Sequence, residues 1–236
     1  MKTKYLFILI ILISIPLAAQ EQTTQSYLNN PNYKLQTDLY DIYKTSQADI
    51  VMLGNSLTQG VNWNELLGRS GVVNRGITSD VTQGFLSRMQ YVYKLKPKIC
   101  FIMGGVNDVY NWTPVQTIYE NYLKIIAGLQ ARGIKPVIQS ALYAGKDWGK
   151  DWLAVNRPEL KPIEVNEGRN KEIDVLNTML ENFAKQNNID YIDLNSLTKR
   201  GKFIKDELVY DGIHLNARGY KIWGAEVDKI LKKYGL

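Results

Sequence analysis

Asp49-Ile50-Val51-Met52-Leu53-Gly54-Asn55-Ser56-Leu57-Thr58 carries a short apolar run straight into a glycine and then a serine. The run is too brief for a buried helix, and its hydrophobicity is continuous rather than alternating. That is the signature of a strand covered on both faces, as in a parallel sheet. Four further runs share this character: Val72–Asn74, Lys98–Met103, Lys135–Gln139 and Ile189–Asp193. Between them, apolar residues recur at helical spacing. One set is Val115, Ile118, Tyr119, Tyr122, Leu123, Ile126 and Leu129; a second is Ile173, Leu176, Leu180 and Phe183; a third is Tyr220, Trp223, Val227, Ile230 and Leu231. Strand–helix alternation of this kind predicts an α/β protein, a three-layer α/β/α sandwich around a five-stranded parallel sheet. Residues Ser140 to Gly168, with two tryptophans and two prolines, read as a long irregular excursion.

In open parallel sheets, chemistry collects beyond the carboxyl ends of the strands. The first exit places Ser56 on a sharp turn after Gly54, where a nucleophile is exposed and the following amides face a developing anion. A serine at this place also serves simply as a helix N-cap. The second exit, Asn74-Arg75-Gly76-Ile77-Thr78-Ser79-Asp80, offers Gly76, whose amide can approach a ligand closely. The third, Gly104-Gly105-Val106-Asn107-Asp108, presents the Asn107 side-chain amide to the same region. The last feature is Asp211-Gly212-Ile213-His214, which contains the only histidine of the chain. A carboxylate three residues before an imidazole can hold one ring nitrogen and leave the other free to take a proton from a serine.

Taken together, these four blocks resemble the SGNH hydrolase superfamily, the GDSL-type esterases and lipases. The resemblance spans roughly residues 49 to 234 and keeps the family order. It implies a flavodoxin-like fold, a catalytic triad of Ser56, Asp211 and His214, and an oxyanion hole of Ser56, Gly76 and Asn107. The 74–82 stretch looks most like the subgroup of platelet-activating-factor acetylhydrolase catalytic subunits and exported carbohydrate esterases. Two positions depart from the pattern: Asn55 stands where aspartate is usual, and Ser79 where glycine is common. The α/β-hydrolases also use serine, acid and histidine in this order, but they need a G-x-S-x-G elbow, and Thr58 occupies its second glycine position.

The beginning of the chain reads as a signal peptide over residues 1–19. Lys2 and Lys4 precede an apolar stretch from Leu6 to Ile15, and Pro16 and the small Ala18 and Ala19 follow, with cleavage expected near Ala19 or Gln20. The stretch is shorter than the roughly 20 apolar residues of a membrane span, and no cysteine ends it for lipid attachment. Residues 20–236 then form a single secreted or periplasmic domain without a stable membrane anchor. Losing the two lysines lowers the formal charge from +6 to +4, and no basic, aromatic-interleaved patch suggests nucleic acid. The single cysteine, Cys100, sits in an apolar run and reads as a buried hydrophobe; no internal disulfide can form.

One histidine and one cysteine cannot supply a Cys/His zinc cluster, and no Walker loop is present, so neither a metal nor another cofactor is expected. The resemblance and the leader together imply a small-molecule or glycan ester as substrate, most simply an O-acetylated carbohydrate. Trp63, Tyr110, Trp112, Trp148 and Trp152 are candidate platforms for sugar rings; aromatics at these positions also fill cores. Lipase, lysophospholipase or thioesterase activity on longer acyl chains, and a noncatalytic glycan-binding module, are the competing readings.

Overall fold

The computed structural model describes residues 26–236. The expected leader lies outside the described residues. A 3₁₀ turn at Ser26–Asn29 precedes α1 (Pro31–Ile42), whose first turn is capped by the Asn30 side chain accepting from the Asn32 N–H. The chain continues through β1 (Ile50–Gly54), α2 (Ser56–Gln59), α3 (Trp63–Leu67), β2 (Val72–Gly76), α4 (Thr82–Ser87) and α5 (Gln90–Tyr93). Then come β3 (Ile99–Met103), α6 (Val106–Tyr110), α7 (Val115–Gln130), β4 (Lys135–Gln139), α8 (Lys150–Asn156) and α9 (Pro162–Gln186). The last elements are β5 (Asp190–Ile192), α10 (Leu194–Thr198), the short antiparallel pair β6 (Lys199–Arg200) and β7 (Phe203–Ile204), and α11 (Ala217–Lys233).

Each of the five apolar runs forms a strand, and the strands make one parallel sheet in the order β2-β1-β3-β4-β5. This is the flavodoxin-like order, and its direction reverses between β1 and β3, where such sheets open a crevice for ligands. Val51, Met52 and Leu53 of β1 and Cys100, Phe101 and Ile102 of β3 are wholly buried, as strands covered on both faces must be. Helices α4, α7 and α9 pack together on one side of the sheet, while α11 packs with α3, α10 and β5 on the other. Trp223 and Val227 from α11, and Tyr122 and Ile125 from α7, supply the layers above and below. Each such large side chain contributes about 1.5–3 kcal/mol on burial.

The region from Ser140 to Gly168 is an irregular excursion only in part. It holds α8 and the first turns of α9, which starts at Pro162, a residue suited to a first helical turn. The helical period escapes notice there because the inward face of α9 begins with Asn166, Arg169 and Asn170 rather than with aliphatic residues. Those asparagines act as substitute strand partners for the segment leaving β4. The Ala141 N–H donates to Asn177 Oδ1 at 2.8 Å while Asn177 Nδ2 returns a bond to the Ala141 carbonyl at 2.9 Å. Asn170 does the same for Ala144, at 2.9 Å in both directions. Asn166 Nδ2 donates to the carbonyls of Gly145 and Trp148 at 2.9 and 3.0 Å. A buried polar backbone is thereby satisfied without a sixth strand.

Candidate active site

The first component of the site is the turn between β1 and α2. Gly54 is required by packing: a Cβ there would lie 2.0 Å from Thr58 Oγ1 and 2.7 Å from the Met103 carbonyl. Asn55 caps the four-residue α2, its Oδ1 accepting from the Leu57 N–H at 3.0 Å. The asparagine that departs from the family pattern therefore still provides the capping oxygen. Ser56 follows, half-buried, at the β1 exit.

The second component is a tight hairpin between η-turn Asp206–Leu208 and α11. Val209 and Leu215 form an antiparallel bridge, and the Tyr210 N–H donates to the His214 carbonyl at 3.1 Å. Within the loop, Asp211 Oδ1 accepts from the backbone N–H groups of Ile213 and His214 at 3.0 and 2.8 Å. Its other oxygen, Oδ2, lies 2.6 Å from His214 Nδ1, and His214 Nε2 lies 3.0 Å from Ser56 Oγ. The carboxylate requires the Nδ1 proton, so Nε2 is the nitrogen left to accept from the serine hydroxyl. Partial burial works to raise the Asp211 carboxyl, but the bonds from the His214 ring and the two amides outweigh it. The acid is held below the usual carboxylate range.

The structure changes one expected oxyanion donor. The Gly76 N–H, proposed from its position in the second block, already donates to Asn74 Oδ1 at 2.8 Å, and the Gly76 carbonyl accepts from the Tyr40 hydroxyl. Gly76 is instead a packing glycine, since a Cβ would come within 2.3 Å of the Gln59 nitrogen. Further along, the amides of Ile77 and Asp80 donate to backbone carbonyls, that of Thr78 to Gln59 Oε1, and that of Val81 to Asp80 Oδ1. The Ser79 amide has no acceptor among the described residues, and Ser79 adopts φ +60°, a left-handed conformation unusual for a residue with a Cβ. It stands at the position where glycine is common in the resembling family, and that departure was the sequence signal for it. Asn107, at the β3 exit, donates one Nδ2 hydrogen to the Asp80 carbonyl at 2.8 Å, which leaves the second hydrogen for a ligand. In register, Gly54 pairs with both Gly76 and Met103, so the three exits are neighbours.

A cleft of about 370 Å³ opens over Ser56 and His214, walled by Gln59, Thr78, Tyr210 and Tyr220. Tyr210 was not picked out in the sequence. Its ring stacks on the His214 imidazole at 5.8 Å and is 72% exposed, and the only sequence hint was an aromatic directly before Asp211.

The proposed sugar platforms separate into three groups. Trp63 is corrected to a core residue: it is 1% exposed, its Nε1 donates to the Thr58 carbonyl, and its ring meets Trp223 edge-on, so neither face is open. Tyr110 and Trp148 meet edge to face at 4.3 Å behind the Asp211–His214 hairpin, where Trp148 packs on Gly212. Trp112 and Trp152 keep open faces, at 77% and 63% exposure, but neither walls the Ser56 cleft. Trp112, like Ser79, has φ +60°, and it lies on the Arg169 guanidinium at 3.2 Å.

A sequence model of the GDSL-like lipase/acylhydrolase family matches residues 52–222, which include every strand exit described above. The chain belongs to this family. Membership implies an ester hydrolase. No curated protein matches the chain. Among solved structures, a GDSL-like lipase from Bacteroides thetaiotaomicron superposes with a TM-score of 0.70 at 24% identity, covering 86% of this chain and 98% of that one. A lipase/acylhydrolase from Enterococcus faecalis gives 0.62 at 23%, covering 80% and 97%. An acetylxylan esterase from Geobacillus stearothermophilus gives 0.59 at 15%, covering 82% and 97%. At these identities the likeness establishes a common fold.

Proposed function

We propose that this protein is an exported serine esterase that removes short acyl groups, chiefly O-acetyl, from carbohydrates. The observation that carries the reading is the continuous chain from Asp211 through His214 to Ser56, at 2.6 and 3.0 Å. In this reading His214 Nε2 takes the Ser56 proton as Oγ bonds to the ester carbonyl carbon. The resulting oxyanion is held by the amides of Ser56 and Ser79 and by the free Nδ2 hydrogen of Asn107. His214 then gives its proton to the departing alcohol, and the C–O bond breaks to leave the acyl-enzyme. Water repeats the sequence, releasing the carboxylic acid and restoring Ser56. Asp211 keeps the imidazole in the useful tautomer and stabilises its charged form.

The short acyl preference is supported by the small cleft, where Leu215 is the one aliphatic side chain in the lining. Carbohydrate as the alcohol is supported by the exposed Tyr210 ring at the cleft wall and by the acetylxylan esterase that shares the fold. Export rests on the leader pattern at residues 1–19. A fluorophosphonate probe should label the wild-type protein and fail on Ser56→Ala; absence of labelling on folded wild type would favour a glycan-binding module. Acetate release from acetylated polysaccharides, with p-nitrophenyl acetate cleaved much faster than the octanoate, supports the substrate class. Equal rates on the two esters would move it to longer acyl chains.

A further inference from the structure

A single buried cation joins every group assigned to the oxyanion site. Arg88, just beyond the C-terminal end of α4, is completely buried, as is its partner Asp80. Its Nε donates to Asp80 Oδ2 at 2.8 Å, one terminal nitrogen to the Arg75 carbonyl at 2.8 Å, and the other to the Gly54 carbonyl at 2.9 Å. Gly54 lies two residues before Ser56, and Asp80 directly follows Ser79. The Asp80 carbonyl is also the acceptor that orients the Asn107 amide. The third exit is reached a second way, since the Arg88 guanidinium lies over the Phe85 ring and Phe85 packs against Gly104.

Stability alone does not account for such a group. A buried ion pair is commonly matched or exceeded in stability by apolar residues of similar volume, because both charges lose their hydration. What a planar guanidinium supplies is geometry: several N–H donors at fixed angles to one another. We propose that Arg88 is a positioning residue that sets the spacing of the Ser56 amide, the Ser79 amide and the Asn107 side chain. Its fork ties the ends of β1 and β2 to the Asp80 turn, so the three donors converge before substrate binds. Preorganised donors are the main source of rate in acyl transfer, and small displacements of them are expensive.

This inference rests on the esterase reading, and the experiment separates the two. Arg88→Lys keeps a charge beside Asp80 but cannot hold both carbonyls with one planar group. On p-nitrophenyl acetate, kcat per native molecule should fall about 10- to 100-fold with KM changed less than about threefold. The affinity of a boronic acid, which forms a tetrahedral anion on the serine, should fall by the same factor as kcat. A folded Arg88→Lys protein with wild-type kcat and boronate affinity overturns the proposal, as does a loss confined to KM. If Arg88→Lys does not fold, Asp80→Asn decides: it keeps both carbonyl bonds and should lower kcat and boronate affinity together by a smaller factor. A folded Asp80→Asn protein with both values unchanged then overturns it. A wild-type protein that neither labels nor turns over would instead defeat the esterase reading itself.

Discussion

The two halves of the site are anchored by different chemistry. On the serine side, the β1 and β2 exits hang on a fully buried guanidinium and carboxylate, Arg88 and Asp80. On the acid–base side, the Asp211–His214 hairpin is partly exposed and is tied from behind by amide hydrogen bonds. The Gly145 N–H donates to the Gly212 carbonyl at 2.6 Å, and Asn166 pins the carbonyls around Gly145 from behind. In the proposed esterase, the difference follows from what each half must do. Oxyanion donors act only if they are in place before charge develops, and a rigid multidentate cation suits that task. The imidazole must exchange a proton between two oxygens, and amide supports hold its loop without adding a charge that would compete for that proton.

The largest effect is expected where the serine side meets substrate. Asn107→Ala should leave the fold intact and reduce kcat about 100- to 1000-fold, roughly 2.7–4 kcal/mol of transition-state stabilisation. Steady-state kinetics beside a thermal melt would check this, and an unchanged kcat would remove Asn107 from the oxyanion site.

The serine side should also show a pH dependence of its own in stability. Burial pushes the Asp108 carboxyl up to about 6, even though the Thr82 hydroxyl and amide both donate to it. A carboxyl whose folded value lies above its unfolded one binds a proton more readily when folded. Its contribution is therefore fully present below the unfolded value and is lost as pH rises through about 6. Relative to wild type, Asp108→Asn should lose this dependence between about pH 4 and 7, a difference approaching about 3 kcal/mol in urea titrations. Parallel pH curves for the two proteins would show that Asp108 does not titrate in this way.

On the acid–base side the signature should invert, with stability affected more than rate. Asn166→Ala leaves the carbonyls of Gly145, Lys146 and Trp148 and the Tyr110 hydroxyl without their partner, a loss of about 2 kcal/mol. Denaturant unfolding should show this while kcat changes less than for Asn107→Ala; the reverse order would break the contrast between the halves. The smallest effect is expected at Ser79. Glycine there relieves a left-handed strain of about 1–2 kcal/mol, partly offset by its own entropy, so Ser79→Gly should gain about 0.5–1 kcal/mol. Turnover should stay near wild type, and a sharp fall would mean that the Ser79 side chain, rather than its amide, serves the site.

The sheet was legible because its strands are buried on both faces, which demands continuous apolar runs such as Val51–Leu53 and Cys100–Ile102. The serine turn and the Asp211–His214 pair were legible because both are local: three residues of spacing suffice to bring a carboxylate to an imidazole. The first turns of α9 were not, because Asn166 and Asn170 face inward to pair with backbone instead of with aliphatic groups, and that removes the apolar period. Trp63 was misplaced for a related reason: an indole satisfied by the Thr58 carbonyl is chemically the same residue as one that meets a sugar.

The sequence by itself determined the fold class and the residue types of the site, since covered strands and short-range motifs leave their marks on consecutive positions. Only the tertiary structure decided which amide of the second exit is left without an acceptor among the described residues, Ser79 rather than Gly76, and which buried group holds the exits together. Both depend on a full accounting of donors and acceptors across residues 54, 74, 80, 88 and 107. Hydrogen-bond partners that far apart in the chain meet only once it has folded.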